Sequence, residues 1–260
     1  MTEIDSISSF QNPRFKYLKS LSKSRTRKKE GVFLIQGHPE VDLLIMSGRK
    51  IRQVIYCESY ISSDEVRNRA GKQDYMLLSK PLFDELSYQN TPGNFLLLAE
   101  AWRGKMENVK VEDTIVVLEG LEKPGNLGAI IRTCDSVGIK NILLTETEID
   151  FFNPNVLRNS RGGFLSVNAV FCSNEEALEL IREQGLTSFA TIISDQSTHY
   201  KVLEASAKAA IIFGAESKGL GEFWSANADN HISIPMLGVV DSLNLSVSVG
   251  MILSHVKHKA

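Results

Sequence analysis

Short apolar runs stopped by glycine or polar clusters alternate along this chain with stretches in which apolar residues recur every three or four positions. "VFLIQG" (32–37), "IRQVIYCES" (51–59), "DYMLLS" (74–79) and "NFLLLAEAW" (94–102) predict strands. Among them, "HPEVDLLIMSG" carries Val41, Leu44 and Ile45 at helical spacing. "SSDEVRNRAG" (62–71) predicts a helix capped by Ser62 or Ser63, and "KPLFDELS" (80–87) a short helix with proline at its start. Residues 14–30 read as one basic helix. This alternation predicts a small α/β domain over residues 1–104. The polar, weakly patterned stretch "RGKMENVKVEDT" then predicts a linker.

A second unit, 113–260, follows the same logic with more β-branched strands. "TIVVLEGL", "KNILLT", "TSFATIIS", "AAIIFGAE" and "HISIPM" predict strands, while "NLGAIIRTCDSVG" and "EEALELIREQG" predict helices. Strands separated by helices imply a parallel sheet covered on both faces. With 260 residues and 43% apolar content, two domains are the better expectation than one.

Charge adds one local feature. The net charge of -2 demands no polyanionic partner, yet Arg14, Lys16, Lys19, Lys23, Arg25, Arg27, Lys28 and Lys29 follow one another with no acid between them. Such a run is either a solvated helix face or a surface for phosphates. Cys57, Cys134 and Cys172 are widely spaced and form no C-x-x-C pair, which argues against a disulfide framework and against a zinc site. "MTEIDSISSF" has neither the basic start nor the apolar core of a signal peptide, and no later run has the length and apolarity of a membrane span. The expectation is a soluble, cytoplasmic protein without metal.

The chemistry concentrates in turns that each follow an apolar strand. In "VVLEGLEKPGNLGAIIRTCDSVG", Gly125 and Gly128 allow close backbone approach, Asn126 sits at the helix entry and Arg132 lies one turn inside. On spacing alone, ordinary turn chemistry of a doubly wound sheet is the better explanation. "IIFGAESKGL" places Gly214, Glu216 and Gly219 after a strand; it lacks the Lys-Ser/Thr pair of a phosphate loop, and its carboxylate suits hydrogen bonds from a ribose or an arginine, or plain solvation. "IPMLGVVDSLN" leads into the apolar, small-residue helix "LSVSVGMILSHV". Ser242 or Asp241 suits the cap of that helix, which puts Asn244 one turn inside it, as a satisfied polar group or facing a ligand. "NPNVLRNSRGGFLSVNAVF" gathers Asn153, Arg158, Asn159, Ser160 and Arg161 before two glycines, a surface for phosphate contacts or an ordinary helix end.

In this order and near this spacing the turns resemble the signature motifs of the SpoU family of RNA ribose 2′-O-methyltransferases, of the SPOUT class. "NLGAIIRTCDSVG" is similar to the first motif, "IIFGAESKGL" to the second and "IPMLGVVDSLNLSVSVG" to the third. The resemblance spans roughly 113–258, and the N-terminal part resembles a substrate-binding domain similar to ribosomal proteins that bind kinked RNA. It implies a C-terminal α/β trefoil-knot domain with a parallel sheet, a homodimer, and S-adenosylmethionine as cofactor. It further implies that Gly214, Ile234, Met236 and Leu243 hold the cofactor. Arg132, Asn126, Glu216, Ser242 and Asn244 would converge on the methyl group as the catalytic set. A guanidinium stays protonated, so Arg132 is expected to hold a phosphate and steady the developing alkoxide rather than take a proton. RNA contacts would come from Arg14, Lys16, Arg25, Arg27, Lys28, Arg158 and Arg161. Ala215 stands where many members carry Asn, and "SVNAVF" lacks the proline often found before that valine. The implied substrate is large-subunit rRNA, with tRNA as the alternative. Competing classes are a non-catalytic RNA-binding or assembly factor, against which the full polar set argues, and a nicotinamide oxidoreductase, for which G-x-G-x-x-G is missing.

Overall fold

A computed structural model describes residues 5–37, 39–87, 94–111, 114–203 and 208–257. The chain forms two compact units: Met1–Trp102 with Asp150–Leu165, and Arg103–Ile149 with Ser166–Ala260.

The first unit is built on a mixed sheet in the order β1 (Asp5–Ile7), β4 (Tyr75–Leu78), β3 (Ile51–Tyr56), β5 (Phe95–Glu100), β2 (Val32–Gln36). β5 runs antiparallel to both β3 and β2, whereas β1 and β3 are parallel to β4. Alternate residues of β2 serve opposite faces: Val32 joins a core with Phe15, Leu18, Met76, Leu82, Phe83, Leu96 and Leu98. Phe33 faces the other way and stacks on Phe152, 4.4 Å between ring centroids. Both faces are thus covered, which is why this strand reads as a continuous apolar run.

The predicted basic helix is two helices, α1 (Pro13–Ser20) and α2 (Ser24–Glu30). Ser20 turns its hydroxyl back onto the carbonyl of Tyr17, and Arg27 reaches from α2 to the carbonyls of Leu21 (2.6 Å) and Ser22 (2.9 Å) in the break. Helix ends leave carbonyls without intrahelical partners, and this side chain satisfies two of them. The helices α3 (Glu40–Met46), α4 (Ser63–Ala70) and α5 (Lys80–Leu86) lie where the pattern placed them, and Ser62 caps α4 by accepting from the N–H of Glu65. β1 escaped the pattern, being three residues long.

The second unit holds a parallel sheet in the order β10 (Thr198–His199), β12 (Asn230–Ser233), β9 (Thr187–Thr191), β11 (Ala209–Phe213), β6 (Thr114–Glu119), β7 (Asn141–Thr145), β8 (Asn168–Cys172). β6, β7 and β11 are buried along their whole length, as their unbroken apolar runs require. One face packs on α8 (Asn174–Glu183) and Trp224 of α9 (Glu222–Asn227). The helices α6 (Pro124–Ser136) and α10 (Leu245–Lys257) pack on each other. Because the strands are parallel, the loops after β6, β11 and β12 leave the sheet at one edge, the place where open α/β sheets take ligands. Among the described residues, no helix is long and apolar enough to cross a membrane.

Candidate functional site

The loops after β6, β11 and β12 carry the sequence motifs, and the fold joins them through one carboxylate. Glu216 Oε1 accepts from Asn126 Nδ2 at 2.7 Å, from Asn244 Nδ2 at 2.7 Å and from the N–H of Leu245 at 3.4 Å. Its other oxygen takes the ammonium of Lys123. Asn244 Nδ2 also lies 3.3 Å from Asn126 Oδ1. The Lys123 ammonium holds the Glu216 carboxyl below the usual carboxylate range; burial opposes it, and the Asn126 amide and Leu245 N–H add to the lowering.

Local structure explains how each side chain is aimed. Pro124 starts α6 with its fixed backbone angle, and Asn126 follows in the first turn. The Glu216 loop is a tight hairpin-like turn in which Gly219 N–H donates to the Ala215 carbonyl at 2.8 Å. Gly219 takes φ +67°, and a Cβ on Gly214 would lie 2.1 Å from Gly219 C, so neither position tolerates a side chain without moving the loop. The loop's far end is pinned from beneath. The buried carboxylate of Glu119, at the end of β6, accepts from Gly221 N–H (2.7 Å) and Asn174 Nδ2 (2.8 Å), and Trp224 Nε1 donates to Asn174 Oδ1 at 2.9 Å.

Asn244 corrects the sequence expectation. α10 begins at Leu245, so Asn244 precedes the helix instead of lying inside it, and its Oδ1 accepts from Ser246 N–H (3.0 Å) and Oγ (2.6 Å). Asn244 therefore caps α10, a role expected of Ser242 or Asp241. These bonds fix the amide so that Nδ2 points at Glu216. The Ser242 hydroxyl turns to Asp241 at 3.3 Å, outside the cluster.

The SpoU rRNA Methylase family model matches residues 113–254, and an MRM3-like substrate binding domain model matches residues 12–97. This chain belongs to the SpoU rRNA Methylase family. A solved RNA 2'-O ribose methyltransferase is 31% identical and superposes with a TM-score of 0.83, covering 96% of this chain and 97% of that one. The 23S rRNA (guanosine(2553)-2'-O)-methyltransferase RlmP of Bacillus subtilis is 25% identical over 96% of this chain and 98% of its own. The tRNA (guanosine(18)-2'-O)-methyltransferase of Thermus thermophilus is 35% identical, over 59% of this chain and 80% of its own. The α/β class with a parallel sheet, expected from the motifs, is the class of the molecule.

Within this SpoU-family chain the remaining expected residues are placed as follows. Arg132 lies six positions after Asn126 on α6, about 120° around the helix from it, and is exposed with no carboxylate partner among the described residues. The expected convergence of five polar residues is thus a cluster of Asn126, Glu216 and Asn244, with Arg132 and Ser242 exposed outside it. Gly214, Ile234, Met236 and Leu243 are half-buried, leaving their surface partly open. Of the expected RNA contacts, Lys16, Arg25, Lys28 and Arg158 are exposed, Arg14 is exposed and ion-paired to Asp5, and Arg161 is exposed with Glu40 3.4 Å away.

Arg27 is a correction. It is 4% exposed, with Nε and Nη2 on Asp150 Oδ2 at 2.8 and 2.6 Å and Nη1 on the carbonyls of the helix break. All three of its guanidinium nitrogens are engaged, so it belongs to the interior of the first unit rather than to a phosphate surface. Sequence reasoning missed Lys123, which precedes a proline in no distinctive spacing, and Asn174. Glu119 was discernible as the one acid closing an otherwise uncharged buried strand. Among the described residues no group of histidine, cysteine, aspartate and glutamate could hold a metal ion.

Proposed function

We propose that this chain transfers a methyl group from S-adenosylmethionine to a ribose 2′-hydroxyl of large-subunit rRNA. The observation that carries the reading is the convergence of Asn126, Glu216 and Asn244 at the ligand-binding edge of the parallel sheet. Under this reading residues 1–104 bind RNA and residues 113–260 carry out the transfer. The rRNA relative aligns along nearly the whole chain, N-terminal part included, whereas the tRNA relative aligns over 59% of it, which favours rRNA over tRNA.

The residues suit the cofactor. Ile234, Met236 and Leu243 offer partly exposed apolar surface for a base, and Gly214 presents backbone without a side chain. When bound, S-adenosylmethionine supplies an activated methyl group on a sulfonium. The chain's own task is placement, because in-line displacement tolerates little misalignment. Glu216 has both oxygens engaged and a pKa lowered chiefly by Lys123, which makes it a weak proton acceptor, so its role is to orient the two amides rather than to take the ribose proton. Arg132, exposed on its helix face, holds the phosphate beside the target ribose and steadies the charge that grows on its oxygen.

The chain acts as a homodimer in the cytoplasm, and it needs no metal. The exposed apolar residues Leu237, Val239 and Val240 before α10, and Val247 and Met251 one turn apart on it, support a second copy as their cover. The deciding experiment incubates the purified protein with labelled S-adenosylmethionine and total RNA from a strain lacking the gene, then maps ribose methylation and measures the sedimentation mass. One newly methylated ribose in large-subunit rRNA and a mass of two chains are expected. A tRNA position would move the substrate, a single-chain mass would remove the dimer, and no label in any RNA would overturn the reading.

A further inference from the structure

Lys123 breaks a local rule. It occupies the residue before the first helical position of α6, where Ser, Thr, Asp or Asn is favoured, and it makes no side-chain capping bond there. Its ammonium lies at the positive end of the α6 dipole and pairs with a carboxylate that also faces the N-terminus of α10. Local rules broken at a functional site usually have a counterpart in function.

Stability does not supply that counterpart. The Lys123 side chain is 66% exposed and that of Glu216 20%, and exposed ion pairs contribute little to folding. Glu216 Oε1 is fixed by Asn126, Asn244 and the Leu245 N–H irrespective of the lysine. What the lysine adds is charge. Without it, a carboxylate would stand uncompensated where the proposed substrate brings a chain of phosphates.

We propose that Lys123 is a positioning residue for the reaction: paired to Glu216 Oε2, it cancels the negative charge of the Asn126–Glu216–Asn244 cluster so that the RNA backbone approaches without repulsion. This rests on the reading that the site methylates RNA. The ammonium stays on Glu216 when RNA binds and does not itself grip a phosphate.

The test measures affinity for an in vitro transcript of large-subunit rRNA, together with kcat and KM. Lys123→Met weakens RNA binding and raises the RNA KM by about tenfold at low salt, an effect that shrinks as salt screens the carboxylate. Its melting temperature and its calorimetric affinity for S-adenosylmethionine stay at wild-type values. Lys123→Arg restores RNA affinity. The decisive arm is Lys123→Met with Glu216→Gln, which recovers wild-type RNA affinity because no bare charge remains, although turnover is lost. Unchanged RNA affinity in Lys123→Met overturns the proposal, and so does a double variant as weak as the single one, since the lysine would then be contacting phosphate directly. Wild-type protein that methylates no RNA refutes the function itself, whereas active wild type with an indifferent Lys123→Met refutes only the role of the lysine.

Discussion

Glu216 pairs with the Lys123 ammonium, and accepts most strongly from the two amides, while it is ionised, which makes the site sensitive to acid in a direction that can be worked out. The Lys123 ammonium is the main cause of its lowered pKa, burial works against it, and Asn126 and the Leu245 N–H assist. A carboxyl with a lowered folded value contributes its interaction above the unfolded pKa and loses it as pH falls through the folded one. The pH profile of kcat is therefore expected to stay level through the range where an ordinary glutamate titrates and to fall only below it. In Lys123→Met the acid limb moves to higher pH. A wild-type limb at the ordinary glutamate value, unmoved in the variant, would show that the lysine does not set this ionisation. At this scale Asn126, Glu216 and Asn244 were legible through the resemblance of their three turns to the family's motifs; by spacing alone Asn126 read as ordinary turn chemistry and Glu216 as a solvated loop residue. Lys123 was not, since a lysine before a proline has no periodic signature, and Arg27 was misleading because charge within a basic run reads as surface. Burial of a guanidinium is decided by a partner, Asp150, that is distant in sequence.

The elements around the site owe their placement to a buried polar bracket. Glu119 at the end of β6, Asn174 at the start of α8, Trp224 in α9 and the N–H of Gly221 form one chain of hydrogen bonds beneath the Glu216 loop. Asn174→Ala leaves the Trp224 indole N–H and one Glu119 oxygen without protein partners. Such groups cost about 1–3 kcal/mol each when buried. The melting temperature is expected to drop by roughly 5–10 °C for a unit of this size. Affinity for S-adenosylmethionine weakens in parallel because the loop loses its lower support, and calorimetry at a temperature well below the transition separates the two effects. A variant that melts lower yet binds the cofactor unchanged would confine the bracket to stability. Elements with strong periodicity, such as β6, β11, α6 and α8, were plain in the sequence. β1, β10 and α9 were not, being too short to show a period, and the break between α1 and α2 depends on a side chain reaching back to satisfy its carbonyls.

At the scale of the whole chain, linear order and compact unit diverge. The pattern of apolar residues predicts one unit ending near residue 104, yet Asp150–Leu165, encoded between β7 and β8, packs into that first unit. It supplies Asp150 to Arg27, Phe152 to Phe33 and Phe164 to Trp102, and α7 (Pro154–Ser160) lies against β2. Nothing periodic in a sequence announces such an exchange, because the contacts pair residues about 60 to 120 positions apart. The energetic consequence is specific. Asp150 and Arg27 side chains are 9% and 4% exposed, so deleting one partner strands a buried charge, at a cost of about 3–5 kcal/mol, whereas replacing both by apolar residues of similar size comes close to neutral. Denaturant unfolding of Arg27→Met should thus show a marked loss of stability, and Arg27→Met with Asp150→Leu should recover most of it. The recovery is partial because Arg27 also serves the carbonyls of Leu21 and Ser22, which neither apolar side chain can satisfy. Equal stability in the single variant and wild type would mean that 150–165 contributes little to the first unit. If the segment does hold there, a fragment ending at residue 104 lacks its partners and should unfold over a broad transition, while the intact chain unfolds sharply.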